Sequence, residues 1–189
     1  MRRKGAIIML VLVGASASGK TEIAKIIIRK NNFSKMVTYT TRAKRPGEIE
    51  GVDYHFIDEN RFKEKQAADD FIETTIYNTN HYGTAFSETG RKKVLIVNVE
   101  GANSLYDKIP NDLVIFLMHS PEKVREARIL KRGDSEASAR VRLKKDTALF
   151  RRDRLTHVDY IVENAKSIDL ESLADRIYSQ YITHPKNQY

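Results

Sequence analysis

Gly14-Ala15-Ser16-Ala17-Ser18-Gly19-Lys20-Thr21 (GASASGKT) is the stretch of sequence that decides the fold. It fits the pattern G-x-x-x-x-G-K-[ST] of a phosphate-binding loop, or P-loop. In such a loop the glycines let the backbone bend so that its N–H groups point inward around a β-phosphate, and the lysine reaches the β and γ oxygens. The hydroxyl of the last residue binds Mg²⁺. The motif therefore predicts that residues 14–21 bind nucleotide phosphates and that the hydroxyl of Thr21 binds Mg²⁺.

The residues on either side of the loop supply the context that the motif requires. Residues 6–13 (AIIMLVLV) form an apolar run typical of a strand buried in a parallel sheet. Residues 21–30 (TEIAKIIIRK) have apolar positions at helical spacing and basic residues in the last turn. The basic residues 2–4 and the small residues 15–17 also resemble the two ends of a signal peptide. Because a strand, a P-loop and a helix follow one another, we interpret this segment as the start of the fold.

The rest of the chain alternates between predicted strands and helices. Apolar runs at residues 94–99 and 113–118 suit the interior of a parallel sheet. Shorter strands are predicted at residues 36–41, 52–57, 71–77, 80–86 and 158–162, and helices at residues 61–68, 121–132, 135–150 and 169–181. This order predicts an α/β fold in which helices flank a central parallel sheet and a β-rich segment is inserted in the middle.

Composition narrows the class of protein. The chain has 189 residues, 41% of them apolar, which is enough for one compact unit. The absence of cysteine excludes disulfides and thiolate metal sites, and it fits a reducing, cytoplasmic location. Apart from residues 6–13, no apolar run approaches the length of a membrane span, so no membrane partner is expected.

The net charge of +8 is concentrated in one segment. Residues 123–154 hold twelve Lys or Arg against five Asp or Glu, which is seven of the eight net positive charges. A protein that binds nucleic acid through its general charge would be basic over more of its surface, so a nucleic-acid partner is not expected. The pattern indicates a basic segment with a local task, although a solvated helical face would give the same pattern.

Residues 38–56 (TYTTRAKRPGEIEGVDYHF) carry a second signal. The guanidinium groups of Arg42 and Arg45 and the phenol of Tyr54 are good donors to a phosphate monoester. This segment closely resembles the monophosphate-binding segment of guanylate kinases. The resemblance extends over nearly the whole chain, because FIE at residues 71–73, YGT at residues 82–84 and KRGDSE at residues 131–136 are similar to further elements of that family.

The resemblance implies a P-loop kinase that transfers a phosphoryl group from ATP to GMP with Mg²⁺. It implies a core of residues 1–36, 94–122 and 158–189, a monophosphate-binding region of residues 37–93 and a basic helical lid of residues 123–157. Such a lid closes over the triphosphate and excludes water.

The resemblance also implies a role for individual side chains at matching positions. The acceptor phosphate would contact Arg42, Arg45, Tyr54 and Tyr82, with Glu48 orienting the arginines. The base would contact Thr38, Glu73, Thr84 and Asn98. The catalytic cations would be Lys20, Arg42, Arg128, Arg132 and Arg142.

The strand predicted at residues 94–99 departs from the family pattern. It resembles a family strand that carries two aspartates, and Ile96 and Asn98 occupy those positions here. Asn98 accepts a hydrogen bond through its amide oxygen but lacks the charge that strengthens a contact to the guanine amine. Glu100 is a partial substitute for the lost acid. Residues 85–89 are also shorter than the helix usual at that place, which predicts a trimmed monophosphate-binding region.

Two alternatives stay open. A related P-loop kinase that acts on another nucleotide or on a sugar phosphate is favoured by Ile96 and Asn98. A guanylate-kinase-like domain that binds a partner protein is the other alternative. Such domains typically lose the P-loop, whereas Lys20 and Thr21 are intact here. No pattern in the sequence indicates an oligomeric state.

Overall fold

The computed structural model describes residues 8–77, 79–90, 92–165 and 167–187. These residues form nine strands, named β1 (Met9–Gly14), β2 (Ser34–Lys35), β3 (Tyr39–Thr40), β4 (His55–Phe56), β5 (Phe71–Tyr77), β6 (Asn80–Ala85), β7 (Lys93–Val97), β8 (Leu113–His119) and β9 (Tyr160–Glu163). They also form six α-helices, named α1 (Lys20–Asn31), α2 (Glu59–Ala67), α3 (Val99–Lys108), α4 (Glu122–Lys131), α5 (Glu136–Leu149) and α6 (Leu170–Thr183). None of the helices in this part of the chain is long and apolar enough to cross a membrane. The basic residues 2–4 and the first two residues of the predicted strand at residues 6–13 lie outside the described residues.

The larger sheet contains five parallel strands in the order β2-β7-β1-β8-β9. β1 is its central strand, and all of its residues are buried. Alternate side chains of a strand point to opposite faces of a sheet. Leu12 accordingly shares one core with Ile23 of α1 and Ile177 of α6, whereas Val11 shares another with Leu105 of α3. Because helices cover both faces, a continuous apolar strand is stable there.

The smaller sheet is inserted between β2 and β7 and has the strand order β4-β3-β6-β5. β5 and β6 form an antiparallel hairpin, β6 pairs antiparallel with β3, and β3 pairs parallel with β4. Its core contains Phe62 of α2 and Phe71 of β5, whose rings stack with centroids 4.8 Å apart. Helix α3 contacts both β1 and β5, so it joins the two sheets. This architecture confirms the predicted fold class.

Several predicted elements differ from the structure. The strand predicted at residues 94–99 ends at Val97, because Asn98 caps α3 by accepting a hydrogen bond from the N–H of Gly101 at 2.8 Å. The apolar pattern does not predict α3, whose first turn continues the apolar run. The strand predicted at residues 52–57 is reduced to β4, and the one at residues 36–41 is reduced to β3. Residues 85–89 contain a single 3₁₀ turn (Phe86–Glu88).

The basic segment forms α4 and α5, which pack against the P-loop. Ala17 of the loop shares a small apolar cluster with Ile129 of α4 and with Ala139 and Leu143 of α5. These helices therefore lie beside the loop through apolar contact, while most of their basic side chains are exposed.

Candidate functional site

The P-loop connects the end of β1 to the start of α1, and two of its glycines are required by close contacts. A Cβ on Gly14 would lie 2.4 Å from the carbonyl oxygen of Met118. Gly19 has a φ of 98°, and a Cβ there would lie 2.2 Å from Nδ2 of Asn164. That amide donates a hydrogen bond to the carbonyl oxygen of Ser18 at 2.9 Å. The loop is thus fixed in shape by its contacts with β8 and with the end of β9.

Lys20 lies at the start of α1 and turns back over the loop. Its Nζ donates hydrogen bonds to the carbonyl oxygens of Gly14 and Ala15 at 2.6 and 2.8 Å. Burial lowers the pKa of Lys20 to about 8, which the nearby carboxylate of Asp146 partly opposes. The half-buried ammonium group of Lys20 is therefore positioned over a loop whose backbone N–H groups suit an anion.

Thr21 is exposed in the first turn of α1, next to the loop. No cluster of three or more His, Cys, Asp or Glu side chains suited to a metal occurs in the described parts of the chain. Mg²⁺ in nucleotide sites is held by few protein ligands together with phosphates and water. The residues present therefore fit a magnesium ion that arrives with a nucleotide and contacts the Thr21 hydroxyl.

The three arginines predicted for the lid occupy different environments. Arg128 reaches the loop, because its guanidinium donates to the carbonyl oxygen of Ala17 at 3.1 Å and to Oδ1 of Asn164 at 3.2 Å. Arg132 is exposed at the end of α4, yet its charge is close enough to lower the pKa of Lys20 further. Arg142 instead pairs with Asp134 at 3.1 Å. The structure thus brings Arg128 and Arg132 near the loop and holds Arg142 at Asp134.

The residues predicted to bind an acceptor phosphate gather beside the smaller sheet. Arg42 forms a two-pronged ion pair with Glu48, at 2.7 and 3.0 Å, and its guanidinium lies 5.3 Å from the centre of the Tyr54 ring. The rings of Tyr54 and Tyr82 lie 6.0 Å apart. Glu48 also accepts the backbone N–H of Arg45 at 2.8 Å, whereas the Arg45 side chain is exposed. Glu48 therefore orients the side chain of Arg42 and only the backbone of Arg45.

Glu73 is the most unusual acid near the predicted base site. It is 3% exposed, and its Oε1 accepts a hydrogen bond from the hydroxyl of Thr84 at 2.5 Å. Its Oε2 is buried and has no hydrogen-bond partner among the described residues. Burial raises the pKa of Glu73 to about 7. A buried, unpaired acceptor oxygen is costly unless a ligand satisfies it, so this geometry is typical of a binding site.

Small and polar residues surround Glu73. A Cβ on Gly101 would lie 3.4 Å from Oε2 of Glu73, so a glycine here keeps the nearest backbone free of side-chain atoms beside the carboxylate. Asn98 is beside it, with its amide oxygen occupied by the cap of α3. Thr38 is buried between β2 and β3, and its carbonyl oxygen accepts the N–H of His55 at 2.9 Å.

Ile96 and Asn98, which depart from the family pattern, and the nearby Glu100 have different surroundings. Ile96 pairs with Leu12 of β1 and packs against the α1 side of the larger sheet, so an apolar side chain is well accommodated there. Glu100 is exposed in the first turn of α3. Of these three positions, Asn98 is the one whose polar side chain lies near Glu73, because both side chains approach Gly101.

Sequence reasoning missed two residues that contact the P-loop. Asp146 of α5 is fully buried, and its Oδ2 accepts a hydrogen bond from the N–H of Ser16 at 2.8 Å. Asn164 follows β9 and holds the carbonyl oxygen of Ser18. The signal for Asn164 is its place after the carboxyl end of a parallel strand, where α/β proteins bind ligands. The sequence signal for Asp146 is an acid that directly follows two lysines in the basic helix α5.

Comparisons with known proteins establish the family of the chain. The family model described as guanylate kinase matches residues 7–178. A guanylate kinase from Onion yellows phytoplasma (strain OY-M) is 35% identical over 188 residues, covering 94% of this chain and 85% of that protein. A guanylate kinase from Bartonella henselae is 29% identical over 178 residues, covering 90% of this chain and 79% of the other. The crystal structure of guanylate kinase from Anaplasma phagocytophilum has a TM-score of 0.70 at 27% identity and covers 92% of this chain and 84% of its own. The chain belongs to the guanylate kinase family.

Proposed function

We propose that this protein transfers the γ-phosphoryl group of ATP to GMP, giving ADP and GDP. Family membership supports the phosphoryl transfer. The observation that carries the choice of guanine is Glu73, because a buried carboxylate with one unpaired oxygen matches the adjacent N1–H and 2-amino donors of that base. Thr84 holds the other oxygen and fixes the orientation of the carboxylate.

On the donor side, residues 14–21 bind the triphosphate of ATP. The backbone N–H groups and Lys20 contact its phosphate oxygens, and the start of α1 adds its positive dipole end. The Thr21 hydroxyl would hold a Mg²⁺ ion that arrives with the nucleotide, and the ion would supply positive charge at the transferred group. Arg128 and Arg132 contribute further positive charge beside the loop, and Arg142 joins them when the basic lid of residues 123–157 closes.

On the acceptor side, Arg42 and Arg45 hold the phosphate of GMP together with the phenols of Tyr54 and Tyr82. Glu48 keeps Arg42 in a fixed orientation, which reduces the entropy lost when the phosphate binds. Thr38, Glu73, Thr84 and Asn98 read the base. The carboxylate of Glu73 must be ionised to accept both guanine donors.

Alignment and charge account for the reaction without a dedicated base. The attacking oxygen of GMP and the γ-phosphorus of ATP need to be in line, and the transition-state charge on the phosphoryl oxygens needs cations around it. Two binding regions in one chain provide that alignment. The acceptor binds at residues 37–93, and the donor binds at the core residues 1–36, 94–122 and 158–189. A closed lid excludes water that would otherwise hydrolyse ATP.

The proposal extends to the setting of the enzyme. A nucleotide kinase without cysteine fits the cytoplasm, and ATP and GMP are its expected partners. The basic charge of residues 123–154 is explained by the triphosphate, so no nucleic-acid partner is needed.

Replacement of Lys20 by alanine tests the donor site. We expect kcat to fall by at least about a hundredfold, since a preorganised cation at the transferring group is lost. ADP release in a coupled assay with GMP measures this, and circular dichroism checks the fold. Lys25→Ala is the matched control, because Lys25 lies on the same helix and is exposed. Unchanged turnover in Lys20→Ala would refute the proposed site.

A panel of acceptors tests the base. Asn98 favours a second candidate, a kinase for another nucleotide or a sugar phosphate, since it lacks the carboxylate of the family pattern, whereas Ile96 packs in the core. Turnover with AMP, CMP, UMP or a hexose phosphate above that with GMP would favour this candidate. A protein that binds no MgATP would instead be an interaction domain, which calorimetry distinguishes.

A further inference from the structure

A buried carboxylate of the basic segment lies directly on the P-loop. Oδ2 of Asp146, a fully buried residue of α5, accepts the N–H of Ser16 at 2.8 Å. Oδ1 of Asp146 is buried as well and has no hydrogen-bond partner among the residues that the structure describes. The N–H groups of this loop are the donors that bind nucleotide phosphates. A carboxylate oxygen therefore occupies a donor that the motif provides for a phosphate oxygen.

The charges around Asp146 are those that a phosphate would use. Arg125, itself buried, lies 3.6 Å from Oδ2 of Asp146. Lys20 is close enough for Asp146 to raise its pKa against the dominant effect of burial. Lys20 at the same time binds the carbonyl oxygens of Gly14 and Ala15. In this conformation both the loop donor at Ser16 and the loop cation are satisfied by the protein itself.

The same docking of α5 keeps a lid arginine away from the loop. Arg142 precedes Asp146 by four residues, so the two side chains lie on the same face of the helix. With Asp146 at Ser16, Arg142 pairs with Asp134. Leu143 anchors this arrangement in the apolar cluster with Ala17. A movement of α5 that withdraws Asp146 from the loop also carries Arg142 out of its present place.

We propose that Asp146 is an internal competitor of ATP, which holds the Ser16 N–H until the triphosphate displaces it and α5 moves. The proposal rests on the proposed function only in requiring that ATP binds at the P-loop. Two anions cannot share this one N–H donor, because like charges at such short range repel each other. The part of the population in which Asp146 is seated does not bind ATP, so the apparent dissociation constant is the intrinsic one divided by the fraction in which Asp146 is withdrawn.

Calorimetric titration with MgATP tests the competition. Asp146→Asn and Asp146→Ala should both bind MgATP about tenfold more tightly than the wild type, if about a tenth of the wild-type population is competent at any time. Glu136→Gln is the matched control, since it removes one negative charge from the exposed face of the same helix, and its affinity should not change. GMP affinity should also be unchanged in all three variants.

The outcomes separate this proposal from the proposed function. Equal or weaker MgATP binding by Asp146→Asn, in a folded protein, overturns the competitor role alone. Absence of MgATP binding in the wild type and in both Asp146 variants overturns the proposed function and the competitor role together.

Thermal unfolding distinguishes competition from a structural role. Without nucleotide, Asp146→Asn should have a lower Tm than the wild type, because the contact with Ser16 is weakened. At saturating MgATP the difference should disappear or reverse, because the contact is absent from the complex. An equal loss of Tm in both conditions would assign Asp146 to structural support and overturn the proposal.

Hydrogen exchange in the wild type needs no variant. A non-hydrolysable MgATP analogue should accelerate exchange in residues 143–149, since this part of α5 loses its docking on the loop. Unchanged or slower exchange there would overturn the proposal.

Discussion

Replacing Glu73 by glutamine should stabilise the protein at neutral pH while it weakens GMP binding. Burial raises the pKa of Glu73 from 4.5 to about 7. Between those pH values the folded state therefore binds a proton that the unfolded chain has lost, so the stability of the wild type falls as pH rises. At about 1.4 kcal/mol per pH unit, ionised Glu73 costs the fold about 3 kcal/mol above pH 7. Glutamine at this position has no such cost.

Urea unfolding at several pH values measures this effect. The free energy of unfolding of Glu73→Gln minus that of the wild type should grow by about 3 kcal/mol between pH 4.5 and pH 8. A constant offset from the new amide group leaves this pH dependence intact. Glu59→Gln, an exposed acid on α2, is the control and should show no comparable slope. If the free energies of unfolding of Glu73→Gln and the wild type changed in parallel with pH, the conclusion that burial raises the pKa of Glu73 would be refuted.

GMP binding should change in the opposite sense. The ionised carboxylate accepts the guanine donors, so the affinity of the wild type for GMP should rise with pH up to about 7 and then level off. Glu73→Gln should bind GMP about a hundredfold more weakly, because charge-assisted hydrogen bonds are lost and an amide N–H₂ faces the base. Calorimetry at pH 6 and pH 8 measures both effects. Undiminished GMP affinity in the variant would show that Glu73 does not read the base.

Three further predictions concern the acceptor phosphate, the base and the C-terminal part of the fold. Arg42→Lys should raise the KM for GMP about tenfold with little change in kcat, since lysine lacks the forked donor geometry, and initial rates at saturating MgATP measure this. Asn98→Asp keeps the cap of α3 and adds a charged acceptor, so GMP affinity should rise about tenfold relative to AMP affinity; equal changes for both nucleotides would exclude a base-reading role. Asp159→Asn should lower the free energy of unfolding at pH 7 by about 2 kcal/mol, since burial opposes ionisation of Asp159 but the N–H of Ile115 and the imidazole of His157 keep its pKa below the ordinary value. The stability that a lowered pKa provides is lost as pH falls through that pKa, so the difference should shrink in acid, which urea titrations at pH 3 and pH 7 would reveal.

The central sheet could be predicted because strands that are buried on both faces leave continuous apolar runs in the sequence. A strand covered by helices on both faces needs apolar residues along its covered length, and β1 and the first six residues of β8 show this in the sequence. The short strands were harder to predict. β3 and β4 contain two residues each, and their pairing depends on turns at residues 48–54 that bring distant backbone groups together. Helix α3 was missed because its capping residue, Asn98, lies at the end of an apolar run where no Pro or Gly marks a boundary.

The sequence predicts which residues form the candidate site, but it does not predict their contacts. A local motif predicts a loop such as residues 14–21, because the chain itself supplies all the backbone donors that bind phosphate. The hydrogen bonds that a side chain forms in the site depend on partners that are distant in sequence. Glu73 and Thr84 are eleven residues apart, and Asp146 lies 130 residues from Ser16. The basic charge of residues 123–154 favours the triphosphate as a ligand. Asp146, the buried acid of this segment, instead accepts a hydrogen bond from the loop itself. Net charge therefore predicts an anionic ligand for this segment, whereas only the three-dimensional arrangement shows that a carboxylate of the same segment already contacts the loop.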